Sequence, residues 1–147
     1  MSISKEDTLL KTIKGGKGVK KMSLGETMNF LKHNRVDLNI IDSHGYNMLH
    51  YSIKNENYDL VNLFLNLDEE NYITEKASPN LLTSNEKDGI YLSPILLSLH
   101  ISSDSSTCYK IIRSLIKAGG DISKKDEDGC NLYFRAAEKG KIDILEF

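Results

Sequence analysis

The side chains best suited to nucleophilic, acid–base or metal chemistry near neutral pH are four histidines, His33, His44, His50 and His100, and two cysteines, Cys108 and Cys130. None of them falls in a His-x-x-x-His or Cys-x-x-Cys metal spacing. A nucleophilic thiol needs an activating base within reach, and no spacing here pairs a cysteine with a histidine, so both thiols read as buried or idle. Asp68, Glu69 and Glu70 are consecutive and lack the alternation of a calcium loop, which makes them a solvated run. Lys11, Lys14, Lys17, Lys20 and Lys21 surround Gly15-Gly16-Lys17-Gly18 without the spacing of a phosphate-binding loop and without an apolar strand before it. They read as a solvated loop, with anion contact through Lys14, Lys17, Lys20 and Lys21 as the alternative. No catalytic set, metal or cofactor is expected.

With 19 basic against 21 acidic residues in 147, the formal net charge is −2, so no global field draws nucleic acid or an anionic membrane, and no nucleic-acid partner is expected. The longest apolar stretch, Ile90 to Leu99, is interrupted by Ser93, Pro94 and Ser98 and falls short of the roughly 20 residues a membrane span needs. Two cysteines form no disulfide framework, and no secretory signal opens the chain, which together predict a cytoplasmic protein.

Three segments share one order of features: an acidic residue, two variable residues, a glycine, a short start, an apolar helix, a loop and a second apolar helix. They begin at Asp42, Glu86 and Asp126. The first, Asp42-Ser43-His44-Gly45-Tyr46-Asn47-Met48-Leu49-His50, superposes without a gap on Asp126-Glu127-Asp128-Gly129-Cys130-Asn131-Leu132-Tyr133-Phe134. Gly45, Gly89 and Gly129 suit a turn that needs positive φ. Leu49, Ile53, Leu60, Val61, Phe64 and Leu65 recur at helical spacing, and the small residues Ser52, Ala136 and Ala137 would let helices approach closely. Val36-Asp37-Leu38-Asn39 and Ala118-Gly119-Gly120-Asp121-Ile122 precede the first and the last segment.

These motifs resemble the ankyrin-repeat family, whose pattern sets Asp-x-x-Gly in a turn, Thr-Pro-Leu-His at the start of the first helix, Ile/Val-Val-x-x-Leu-Leu along the second and Gly-Ala-Asp-Val at the close. Ser93-Pro94-Ile95 and Ile111-Ile112 with Leu115-Ile116 are the counterparts in the middle segment. The resemblance implies an all-α solenoid of stacked antiparallel helix pairs joined by turn or β-hairpin loops. Its divisions are a degenerate capping repeat over 1–41, a repeat over 42–85 with a long insertion at 66–85, a distorted repeat over 86–125 and the start of a further repeat over 126–147. The turn glycines lie 44 and 40 residues apart (Gly45, Gly89, Gly129) against about 33 for the family, and the excess is expected to project as loops. Ile142, Ile144, Leu145 and Phe147 begin a second helix, and the reading expects the natural chain to continue beyond it.

The resemblance further implies a protein-binding module working through turn tips and the concave side of the first helices, not an enzyme. Those positions are Ile41, Ser43, His44, Tyr46, Lys54 and Asn55 in the second repeat, Lys87, Asp88 and Tyr91 in the third, and Lys125, Glu127, Asp128, Cys130, Glu138 and Lys139 in the last. Tyr46 is the expected anchor, because an aromatic ring offers large, rigid contact area; packing on a neighbouring turn is its other reading. His50 occupies the histidine of Thr-Pro-Leu-His, a turn-tying role. The partner is another protein, and the alternative function is the targeting arm of a larger enzyme. Divergent, insertion-bearing repeats also resemble those of poxviral proteins and of effectors of intracellular bacteria, which implies host cytoplasm. If the amino-terminal lysines hold an anion, its binding falls steeply with rising salt and vanishes when Lys14, Lys17, Lys20 and Lys21 become Glu. Salt-independent binding rejects that contact.

Overall fold

The computed structural model describes residues 4–15, 18–85, 91–102 and 105–147. Among the described residues seven α-helices appear in order: α1 (Lys5–Lys14), α2 (Leu24–His33), α3 (Met48–Lys54), α4 (Tyr58–Leu65), α5 (Pro94–Ile101), α6 (Ser105–Lys117) and α7 (Leu132–Glu138), with a short 3-10 helix over Ile142–Glu146. Six helices start the same way. A Ser or Asn side chain (Ser4, Ser23, Asn47, Asn57, Ser93, Asn131) accepts the backbone N–H three residues on, satisfying an otherwise orphaned donor. At Ser93, Pro94 follows as the first helical residue, where its missing N–H costs nothing.

The helices form two rows. α1, α3, α5 and α7 touch in sequence along one row, and α2, α4 and α6 along the other, with α3 against α4, α5 against α6 and α7 against the 3-10 helix across the rows. Between the rows lie Leu9, Ile13, Leu31, Leu49, Ile53, Val61, Phe64, Ile95, Leu97, Leu99, Ile111, Ile112, Leu115, Leu132 and Ile144, all buried. α5 is buried over nearly its whole length because it has α3 and α7 on its flanks and α6 behind it. Ser52 and Ser98 are equivalent small residues at helix contacts, and each hydroxyl donates to the carbonyl four residues back at 2.9 Å, which makes its burial tolerable. Ala136 is likewise buried, whereas Ala137 is exposed.

Of the turn or β-hairpin loops expected, turns are what form: the described residues contain no strand, only an isolated bridge at Asn85. Instead, side-chain amides tie successive turns together. Asn39 Oδ1 accepts the Ser78 N–H at 2.9 Å and Asn80 Oδ1 accepts the Asp121 N–H at 2.8 Å, while Asn80 Nδ2 donates to the Gly119 carbonyl at 3.1 Å. Asp37, Ser78 and Asp121 fill matching places, each accepting the N–H two residues on.

This ladder corrects the expectation that 66–85 projects as a loop. Residues 77–85 run along the stack: Ala77 N–H donates to the Phe64 carbonyl at 2.8 Å, and Ser84 N–H donates to the Gly45 carbonyl at 2.8 Å. Even within 66–76, Leu67 and Thr74 are buried, and the Thr74 hydroxyl bonds the Asn34 carbonyl and accepts the Val36 N–H. Ser78-Pro79-Asn80 is therefore the close of the second repeat, with loop composition but the hydrogen bonding of Asp37-Leu38-Asn39.

Gly45 and Gly129 sit in left-handed backbone at φ +86° and +81°, but a Cβ on Gly45 would lie 2.3 Å from the Ser84 carbonyl group, while one on Gly129 meets open space. Gly129→Ala is expected to cost about 1–2 kcal/mol from φ alone, and Gly45→Ala a further 1–3 kcal/mol or so from overlap, read as urea unfolding midpoints. Equal losses in the two variants reject the close approach at Ser84.

Candidate functional site

The turn tips are built around two aspartates. Asp42 Oδ1 accepts the N–H groups of His44 (2.9 Å) and Tyr46 (3.1 Å), and its Oδ2 takes the Tyr51 hydroxyl at 2.5 Å. Asp126 repeats the arrangement: Oδ1 accepts from Asp128 and Cys130 at 3.0 Å each, and Oδ2 takes Arg135 Nε at 2.8 Å. The third partner stands nine residues after the aspartate in both cases. Partial burial opposes ionisation of both carboxyls, but the Tyr51 hydroxyl at Asp42 and the Arg135 guanidinium at Asp126, together with the turn amides, outweigh it and hold both below the usual carboxylate range. Each tip is thus an ionised, fully bonded loop fixed to the first helix behind it.

His50 fixes the second repeat's tip to its neighbour. Asn47 Oδ1 accepts the His50 N–H at 2.8 Å, and Asn47 N–H donates back to His50 Nδ1 at 3.0 Å. Nδ1 is therefore an acceptor, which places the proton on Nε2, 2.7 Å from the Leu81 carbonyl it donates to. Burial pushes His50 down to about 4, against the smaller opposing pull of the Leu81 bond and of Asp42.

Of the two readings of Tyr46, partner anchor and packing on a neighbouring turn, the geometry fits the second: it is 4% exposed, because its ring packs on Tyr51 (centroids 5.5 Å apart) and His50, and its hydroxyl accepts Asn85 Nδ2 at 3.0 Å. Lys54 covers the ring, its ammonium 3.9 Å from the centroid. Tyr46 is a strut between turns. Ser43 and His44 are exposed at the tip and Ile41 is half-buried. Asn55 donates to the Ile13 carbonyl at 2.9 Å, and Lys139, its counterpart in the last repeat, reaches the Leu99 and His100 carbonyls at 3.1 and 3.4 Å. Both brace one first helix against the one before it. Lys125 is exposed and Cys130 half-buried, while Lys87 and Asp88 lie outside the described residues.

Five of the expected residues come together in one place. Tyr91, Glu127, Asp128, Glu138 and Lys139 line an open groove of about 330 Å³ between α5 and α7, with Leu92, His100, Asp126 and Arg135 completing it. Arg135 is its hub, donating to Asp126, to Asp128 at 2.9 Å and to Glu138 at 3.1 Å. Sequence reasoning passed over Arg135, although its place nine residues after Asp126, matching Tyr51 after Asp42, was the available signal. The residues expected in the second repeat do not join this groove.

The other chemistry-bearing groups are dispersed. Cys108 is buried, and burial pushes its thiol up. Lys14 lies 3.9 Å from Asp42 Oδ2 and against the Tyr51 ring, Lys20 and Lys21 are exposed, and Lys17 lies outside the described residues. Among the described residues no group of three His, Cys, Asp or Glu side chains is placed to hold a metal ion, and no helix is long and apolar enough to cross a membrane.

Two rows of capped helix pairs, joined by aspartate-centred turns, define an ankyrin-repeat fold. The crystal structure of the ankyrin repeat protein EF0377 superposes with a TM-score of 0.67 at 21% sequence identity, over 95% of this chain and 61% of that one. The chain therefore spans less than two thirds of that neighbour's length. No protein-family model matches the sequence. No curated protein matches it either.

The buried neutral His50 makes stability pH-dependent. Its folded pKa lies below its unfolded value of 6.5, so its contribution is complete above pH 6.5 and is lost as pH falls toward about 4. Between pH 7 and pH 5 the unfolding free energy should drop by about 2 kcal/mol in the wild type, and this component should vanish in His50→Gln. Parallel urea titrations at the two pH values decide it; an unchanged slope in the variant rejects a buried neutral ring.

Proposed function

We propose that the protein is a protein-interaction module that holds its partner at the turn tips and the concave row of first helices, with the α5/α7 groove as the principal contact. The observation that carries this reading is the convergence of Tyr91, Glu127, Asp128, Glu138 and Lys139 on one open groove in an ankyrin-repeat fold. The support from the fold is associational, since fold alone does not assign a partner. The groove adds a physical reason: a concave site with an exposed aromatic residue beside an aliphatic one and convergent polar groups is a usual form of recognition surface. Its walls are also braced, because Asp126 fixes the tip to α7 and Lys139 ties the end of α7 to α5. A braced site loses little freedom on binding. In a longer polypeptide the same groove would serve as a targeting arm, in host cytoplasm if the protein is an effector.

Position-specific photo-crosslinking tests this. A benzophenone side chain at His100, in the groove, should capture the partner, and one at Arg113, exposed on α6 in the other row, should not. Tyr91→Ala should lower the His100 adduct by roughly fivefold or more. Equal capture from both positions, or capture from Arg113 alone, rejects the concave face.

A further inference from the structure

Three features of the groove bear on what it holds. It has one aliphatic lining residue, Leu92, which it shares with an adjoining recess of about 50 Å³ where Leu96 and Leu99 lie beside His100, Asp126, Arg135 and Lys139. Its walls carry four carboxylates, Asp126, Glu127, Asp128 and Glu138, against the two cations Arg135 and Lys139. The Lys139 ammonium is turned onto the backbone carbonyls of Leu99 and His100. Lys124 and Lys125 precede the turn but do not line the groove.

The charged set is also more than the fold requires. In the second repeat the places of Asp128, Arg135 and Glu138 are held by His44, Tyr51 and Lys54, and the Asp42 turn closes on the Tyr51 hydroxyl without any guanidinium. In the last repeat Asp126 alone makes the equivalent turn bonds. Asp128 and Glu138 are additional, and they remain 81% and 53% exposed while touching Arg135. Arg135 itself shows that this corner accommodates a planar guanidinium between carboxylates. Tyr91, 37% exposed, presents an aromatic ring on the same groove.

We infer that the α5/α7 groove takes a partner segment bearing arginine or lysine within an otherwise apolar stretch. This rests on the reading of the concave face as the binding face. The partner's cation would share Asp128 and Glu138 with Arg135 and lie near the Tyr91 ring, while its apolar neighbours cover Leu92. An acidic segment would instead bring its charge against four carboxylates, which electrostatic complementarity disfavours.

The test uses the whole chain and a carboxyfluorescein-labelled peptide with two arginines in a leucine–alanine background, read by fluorescence anisotropy beside its glutamate-for-arginine counterpart. The arginine peptide should bind, weaken severalfold between about 50 and about 300 mM salt, and lose roughly fivefold or more in affinity in the Asp128→Asn, Glu138→Gln double variant. The glutamate peptide should not bind. Should the double variant unfold, Glu127→Gln at an exposed position carries the same expectation at smaller size, about twofold. Absent binding of the arginine peptide, equal binding of the glutamate peptide, or affinity indifferent to both sets of substitutions overturns the inference. The two readings fail separately: a partner segment crosslinked at His100 that contains no arginine or lysine overturns this inference and leaves the concave face standing, whereas loss of position dependence at His100 removes the face itself.

Discussion

A carboxylate that gathers two backbone amides of its own turn and one side chain of the following helix is the contact on which the remaining architecture rests. At Asp42 and again at Asp126, one oxygen closes the tip through the N–H groups two and four residues on, and the other reaches the residue nine positions later. Hydrophobic burial drives the helices together, but it is non-directional and would permit sliding along their axes. The turn carboxylate removes that freedom by joining each tip to one helical residue. Once tips and first helices move as a unit, inter-repeat contacts such as Asn55 to Ile13 and Lys139 to Leu99 set the offset between neighbours.

The same device gives different surfaces from the same backbone. Tyr51 completes the Asp42 turn with a neutral hydroxyl, which lets Tyr46 and Lys54 close over it as a layered aromatic and ammonium cluster. Arg135 completes the Asp126 turn with a guanidinium that has two further donor nitrogens to place, and these draw Asp128 and Glu138 into the groove wall. The ninth residue, with the residues around it (Tyr46 and Lys54 at one tip, Cys130 and Glu138 at the other), thus separates a sealed tip from an open charged one, while the backbone hydrogen bonds within the two turns stay the same.

Local chemistry made much of this legible in the sequence. The Asp-x-x-Gly turns close through backbone partners within four positions, so they could be read from spacing, and His50 could be read from its place in the family's Thr-Pro-Leu-His motif, although its bond to Leu81 spans 31 residues. The two readings of Tyr46 could not be separated in the sequence because its burial depends on Asn85, 39 residues away, and on Lys54 folding back over the ring. Residues 77–80 were misread because Ser-Pro-Asn has the composition of a loop, and only its bond to Asn39 shows that it closes a repeat. The groove was half legible: its tip residues follow from the turn motif, whereas Leu92, His100 and Arg135 join them only through the packing of α5 against α7.

The bond from Ala77 N–H to the Phe64 carbonyl returns the chain, after a twelve-residue excursion, to the helix it left. Closing such an excursion has an entropic cost that grows only logarithmically with its length, about 0.6 kcal/mol for each doubling. Between the clamped ends, Leu67, Tyr72 and Thr74 reach the stack, Tyr72 against the core and beside Lys32. Residues 68–71, exposed and bonded among themselves, are therefore the place at which the solenoid can absorb foreign sequence, an epitope or a small fluorescent domain, without a change of register in any repeat.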